Sequence, residues 1–145
     1  MNLTDPLSLQ GTLEVAVLRC GLLVDWWRDE NLIVDSARHM LAQLIAGDGN
    51  GQSVAEIGFG KSGITPTPAD TGLTAAYWRA LDGHTYPEPG QVCFAFSLPT
   101  TEANGLLIRE FGLRTTTGAL FSRKARGGIE KNDDISLEGT WTITL

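Results

Sequence analysis

Leu13, Val15 and Val17 alternate with polar or small residues across 12–19, the period-two signature of a strand with one buried face. Cys20-Gly21 reads as a turn, and 22–27 returns as a second strand. Asp29-Glu30-Asn31 reads as another turn before Leu32-Ile33-Val34, so the chain opens as a β-meander. Trp26 and Trp27 are adjacent and must face opposite sides of their strand. One belongs in the core; the other is exposed or covered by a partner subunit.

The period then changes. Ala37, Met40, Leu41, Leu44 and Ile45 recur at helical spacing. Asp35 or Ser36 is placed to cap this helix, because a short side-chain oxygen accepts an orphan backbone N–H. Gly47 stands where a left-handed residue ends one. The apolar stripe is expected to cover one face of a sheet.

After Gly47-Asp48-Gly49-Asn50-Gly51, short strand patterns return at 53–59, 74–81, 92–96, 106–113, 119–124 and 135–145. Residues 60–72, with Pro66 and Pro68, read as an ordered loop outside any ladder. Turns are expected at Asp82-Gly83, 87–90, Asn104-Gly105, Thr117-Gly118 and Gly127-Gly128. The fold expected is mainly β with one principal helix (α+β), an antiparallel β-sandwich-like sheet with the helix packed on it. Residues 1–11 are expected as an extended arm, with Leu3, Leu7 and Leu9 free to dock, and 12–145 as a single β-rich domain.

Composition agrees with a packed core: 42% of residues are hydrophobic and 19% charged. The net charge of −6 argues against nucleic acid as a partner, because phosphate binding needs a basic surface. Arg109, Arg114, Arg123, Lys124, Arg126 and Lys131 form a local basic run, read as charges on exposed strand faces. No signal peptide or bilayer-length apolar run is visible, so synthesis and folding in the cytoplasm are expected. Cys20 and Cys93 lie in apolar runs and read as buried free thiols, with a disulfide between them left open.

Candidate chemistry is sparse. Gly58-Phe59-Gly60-Lys61-Ser62 lacks the leading glycine of a phosphate loop, since position 55 is Ala55, and Gly63-Ile64-Thr65-Pro66 starts no helix. Asp48, Asn50 and Gln52 alternate like calcium ligands, but Ser53 and Phe59 stand where Gly and a bidentate Glu are required. His39 and His84 have no partner at metal spacing. No enzyme activity, cofactor or metal is expected. Glu110, between Arg109 and Phe111 in an apolar strand, needs a cation if it faces inward; Arg79, Arg123 and Lys131 are the candidates.

From residue 31 onward, several pieces occur in a recognisable order. They are Asn31-Leu32-Ile33-Val34-Asp35, Ile57-Gly58-Phe59-Gly60 and Asp70-Thr71-Gly72-Leu73, then a segment carrying Arg79. Glu110-Phe111-Gly112-Leu113, Gly118-Ala119-Leu120-Phe121-Ser122-Arg123, Lys131 and the last strand with Trp141 follow. This order resembles the N-terminal virion-attachment domains of tailed-bacteriophage tail-collar and tail-fibre proteins. The resemblance implies a structural protein of the virion tail, a fibre-base, adaptor or baseplate subunit. Its partners would be copies of itself, in a trimer or ring, and other tail or fibre proteins. Trp26, Trp27, Arg79, Glu110, Gly112, Arg123, Lys131 and Trp141 are the structural or interface candidates. A carbohydrate- or host-surface-binding β-sandwich, with a Trp as platform, and a neck or decoration protein are the alternatives.

Overall fold

The structure is a computed structural model in which residues 9–48 and 52–145 are described. In chain order the elements are β1 (Gln10–Arg19), β2 (Leu22–Ile33), α1 (Asp35–Ala46), β3 (Val54–Gly60), β4 (Tyr77–Ala80), β5 (Gly83–Thr85), β6 (Gln91–Leu98), β7 (Leu107–Thr115), β8 (Leu120–Glu130) and β9 (Ile135–Thr144). Among the described residues the protein is thus mainly β with one short helix. Its nine strands form one antiparallel sheet in the order β4-β3-β7-β8-β2-β1-β9-β6-β5.

The sheet curls until its ends meet. At one side β2 joins β8 through only Leu32↔Arg123 and Ile33↔Ser122. At the other, β4 and β5 are the two ends of the strand order yet are separated in the chain by Leu81 and Asp82 alone. The Leu81 N–H donates to the Ala55 carbonyl at 3.0 Å and the Asp82 N–H to the Ala95 carbonyl at 2.8 Å. The run 77–85 therefore bonds to both β3 and β6.

The inward face carries the alternation read from the sequence. Leu13, Val15, Val17, Trp27, Phe94, Phe96, Leu137, Trp141 and Ile143 are buried from β1, β2, β6 and β9; Ile57, Phe59, Phe111 and Leu113 are buried from β3 and β7. Rings meet edge to face across the interior: Phe59 lies 6.2 Å from Phe96 and 5.8 Å from Phe111, and Trp27 lies 5.5 Å from Phe111.

Several local expectations are corrected. No turn interrupts 29–31, because Asp29, Glu30 and Asn31 pair with Leu13, Thr12 and Gly11 and keep β2 extended. Gly83, read as the second residue of an Asp82-Gly83 turn, instead opens β5 (Gly83–Thr85) against β6. Gly127-Gly128 lies inside β8, not in a turn, and Leu107 occupies the room that Gly128 leaves. The helix is capped at Val34 without a side-chain hydrogen bond. Ser36, an expected cap, instead donates its hydroxyl to the Leu120 carbonyl at 2.5 Å. Gly47 does take the left-handed conformation, with φ of 81°. Ala37 and Met40 are buried, but the stripe is not covered throughout, since Leu44 and Ile45 are exposed. Cys20, expected buried, is exposed in the β1–β2 turn with a φ of 50°, while Cys93 is half-buried; both thiols are free. The basic run is not wholly a solvated face either, because Arg123 and Lys131 are buried. Of the expected arm, residues 1–8 lie outside the described residues, and β1 already begins at Gln10. Asn50 of the calcium-like pattern is also outside them.

Candidate functional site

The outer face of β3 and β7 is built on glycine. Gly58 pairs with Gly112 and Gly60 with Glu110, while Gly112 also pairs with Arg123. Residues opposite one another share a face, so Gly58, Gly60, Gly112, Glu110 and Arg123 lie together. The missing side chains make room. A Cβ on Gly60 would stand 2.6 Å from a Glu110 carboxylate oxygen, and one on Gly58 2.5 Å from the Trp78 ring. A Cβ on Gly112 would press on Leu73 at 3.0 Å.

Into this space the 61–74 loop is tied by charge. Arg123 Nε donates to Glu110 Oε1 at 2.8 Å. Glu110 Oε2 accepts the Ser62 N–H at 2.7 Å and the Thr74 N–H at 2.9 Å. Arg123 Nη1 reaches Asp70 Oδ2 at 3.0 Å and Nη2 the Ser62 carbonyl at 3.2 Å. Burial pushes the Asp70 carboxyl up, but hydrogen bonds from Thr67 and the Arg123 guanidinium outweigh it, leaving its pKa below the ordinary value. Of the three candidate cations for Glu110, Arg123 is the one used. With both oxygens occupied and Glu110 only 1% exposed, the carboxylate is presented to no ligand. The cluster fixes a loop to two strands.

Arg79 serves a different contact. It reaches Glu102 at 3.4 Å and Asp82 at 3.6 Å, and Tyr77 donates its hydroxyl to Glu102. That bond to Glu102, with burial and the carboxylate charge, raises the Tyr77 pKa. Lys131 is enclosed and donates to Asn104 Oδ1 at 2.7 Å and the Asn132 carbonyl at 3.1 Å. Burial lowers its pKa, while Asp133, Asp134 and Glu102 oppose the shift. Trp141 is fully buried with its Nε1 unpartnered, so it fills the core and offers nothing to a surface. Trp27 is buried too, with the Arg126 guanidinium 4.3 Å over its ring.

Trp26 differs from these. It is 52% exposed, and Leu23 is 62% exposed. The register explains how they come together. Ala16 pairs with Trp26, and after a bulge between Val17 and Leu18, Leu18 pairs with Leu23. The bulge inserts one extra residue into β2, so Leu23 lands on the same outward face as Trp26. Leu22 and Val24 are exposed beside them. The hairpin tip is therefore an apolar patch. Trp26 Nε1 donates to Glu14 Oε1 at 3.2 Å, and Trp26 borders a shallow depression of about 580 Å³ with Glu14, Asp82, Ser97, Glu138 and Thr140.

The sequence marked Trp26 through the adjacency rule but missed Leu18 and Leu23, because a bulge leaves no residue signature in an otherwise apolar run. Among the described residues no group of three or more His, Cys, Asp or Glu side chains could hold a metal, and no helix is long and apolar enough to cross a membrane. No protein-family model matches this chain, and no curated protein or solved structure does either.

Proposed function

We propose that this protein is a non-enzymatic structural module of a phage tail, a fibre-base, adaptor or baseplate subunit that works by binding other protein chains. The observation that carries the reading is the outward patch of Leu18, Leu23 and Trp26 on the β1–β2 hairpin. Exposed apolar surface of this kind marks interaction sites, and Trp is prominent among residues that dominate interface energies. The sheet ends favour the same surface, because the 77–85 run already occupies the outer partners of β3 and β6. The order of sequence pieces supplies the virion setting. The finer architecture belongs to the same proposal: a sandwich-like sheet with α1 laid on it, for which the contact between Phe59 of β3 and Phe96 of β6 is the support. Copies arranged in a trimer or ring would reuse one hairpin surface many times.

Light scattering behind size exclusion tests this. The wild-type chain is expected to run as a trimer or larger ring, and Leu23→Asp with Trp26→Ser to run as a monomer with an unchanged far-ultraviolet spectrum. A wild-type monomer at every concentration, with no tail protein bound in a pairwise screen, overturns the assembly reading.

The acidic depression beside Trp26 favours a second reading, a saccharide platform. Aromatic faces stack on sugar rings, and Glu14, Asp82 and Glu138 would accept hydroxyl hydrogens. Quenching of Trp fluorescence by a host-surface saccharide, lost in Trp26→Ser, would select it.

A further inference from the structure

One strand edge stays open. β2 pairs with β1 from Leu22 to Asn31, but on its other side it meets β8 only at Leu32 and Ile33. Among the described residues no strand lies against 22–31 on that side. Lys124 and Arg126 both reach Asp29 with their side chains, and there the bridging ends. An unpaired edge is a template for another chain unless proline, charge or cover blunts it. No proline interrupts 22–31, and the register with β1 is unbroken from Asp25 to Asn31.

The bonds of β2 show which groups the opening presents. In an antiparallel ladder, alternate residues turn both N–H and C=O away from the paired neighbour. Trp26 donates its N–H to Asp25 Oδ1 at 2.9 Å. The Glu30 carbonyl accepts from Lys124 Nζ at 3.4 Å, and the Leu32 carbonyl from the Ser122 hydroxyl at 2.7 Å. Trp26, Arg28, Glu30 and Leu32 thus aim their backbone groups away from β1. Side chains stand in for a strand at Trp26 and Glu30. The Trp26 carbonyl and both backbone groups of Arg28 have no protein partner among the described residues.

We infer that β2 accepts an extended segment of another protein as an added strand along Asp25–Arg28, and that this segment carries an apolar side chain next to a basic one. The inference rests on the reading of the hairpin as a protein-binding surface and gives that contact its backbone half. In strand addition, main-chain bonds give affinity and alternate side chains give specificity. Residues opposite one another share a face. A residue added opposite Trp26 meets the exposed Trp26 ring on the side that also carries Leu23. Its neighbour, opposite Asp25, points to the other face and meets a carboxylate. Once the added strand takes the Trp26 N–H, Asp25 is released to accept from a Lys or Arg. The net charge of −6 favours a basic segment over a second copy of this chain.

The test uses the full chain and a short peptide alternating Val and Lys. Saturable binding is expected, with hydrogen exchange slowed at the Trp26 and Arg28 amides. Arg28→Pro deletes an N–H that β1 does not use, and edge strands tolerate proline at such positions. It is expected to weaken peptide binding about tenfold, the worth of one main-chain bond, with an unchanged far-ultraviolet spectrum. Arg28→Ala, which keeps the N–H, should bind as wild type does. No peptide binding, or equal binding by Arg28→Pro and Arg28→Ala, overturns strand addition. Equal binding of a Val and Glu peptide overturns the basic partner. Slowed exchange at both amides in the protein alone, appearing as its concentration rises, would assign the edge to a second copy and overturn the proposal too. The protein-binding reading fails separately, when Leu23→Asp with Trp26→Ser leaves assembly and tail-protein binding unchanged.

Discussion

Glu110 and Arg123 are diagonal neighbours across the β7–β8 ladder, joined at 2.8 Å over the gap left by Gly112. Arg123 pairs directly with Gly112, not with Glu110. A side chain at 112 would compete with Leu73 and crowd the guanidinium's route to the carboxylate. The pair and the glycine are therefore one device.

Removing half of that device leaves a buried charge without its partner, which typically costs about 3–5 kcal/mol. Glu110→Gln keeps the shape but loses the charge and one acceptor position. It is expected to lower stability by about that amount in urea unfolding. Glu110→Gln combined with Arg123→Met should cost less than the sum of the two single changes, because neither leaves the other charge stranded. Full additivity would sink the pairing argument.

Gly58→Ala is a sharper probe of the glycine face. The new Cβ would meet the Trp78 ring at 2.5 Å, and Trp78 is itself held under the Arg114 guanidinium at 4.1 Å. Overpacking of this kind costs about 1–3 kcal/mol. Thermal unfolding should shift downward, whereas Gly72→Ala, where a Cβ meets nothing within 4 Å, should not.

Asp70 sets part of the acid limb. Its folded pKa lies below the model-peptide value of 3.8, so in that window the unfolded chain binds more protons and stability rises with pH. The contribution is present above 3.8 and is lost as pH falls through the folded value. Asp70→Asn should be less stable than wild type at neutral pH and show a flatter loss in acid, measured by urea midpoints. Parallel curves would remove Asp70 from the account.

Lys131 should act in the opposite range. Its folded pKa is below 10.5, so the unfolded chain holds the proton longer and stability rises with pH up to that value. Lys131→Met should abolish this rise. It should also leave neutral-pH stability unchanged within about 1 kcal/mol, or increase it, since a buried charge is replaced by a carbon chain of similar volume. Its partner Asn104 is exposed and can turn to water. A loss of several kcal/mol would show that the ammonium is needed where it sits. Tyr77, whose pKa is raised above 10.0, subtracts stability only at higher pH.

The sequence announces faces better than boundaries. The alternation of Leu13, Val15 and Val17, or of Phe94 and Phe96, names the inward side directly, and Gly47 ends the helix where its conformation allows. Asn31 and Gly127-Gly128 misled because turn-forming residues also serve in strands where a neighbour needs the space; Asn31 stands over Gly11, and Leu107 over Gly128. The Glu110 contact was legible as a need for a cation, but only register could choose Arg123 over Arg79 and Lys131. The apolar hairpin face was hidden for the same reason, since it depends on which residue of β2 is left out of the ladder.

The place of β9 has a consequence for how the chain reaches this state. It lies between β1 and β6, so the first described strand waits for the last before its second edge is paired. At a ribosome speed of about 5–20 residues per second, the stretch from β1 to β9 takes roughly 6–25 s to emerge. Throughout that interval Leu13, Val15 and Val17 have no β9 to pack with. The growing chain is therefore most exposed to misassociation on the ribosome, with the inward face of β1 open until β9 has emerged.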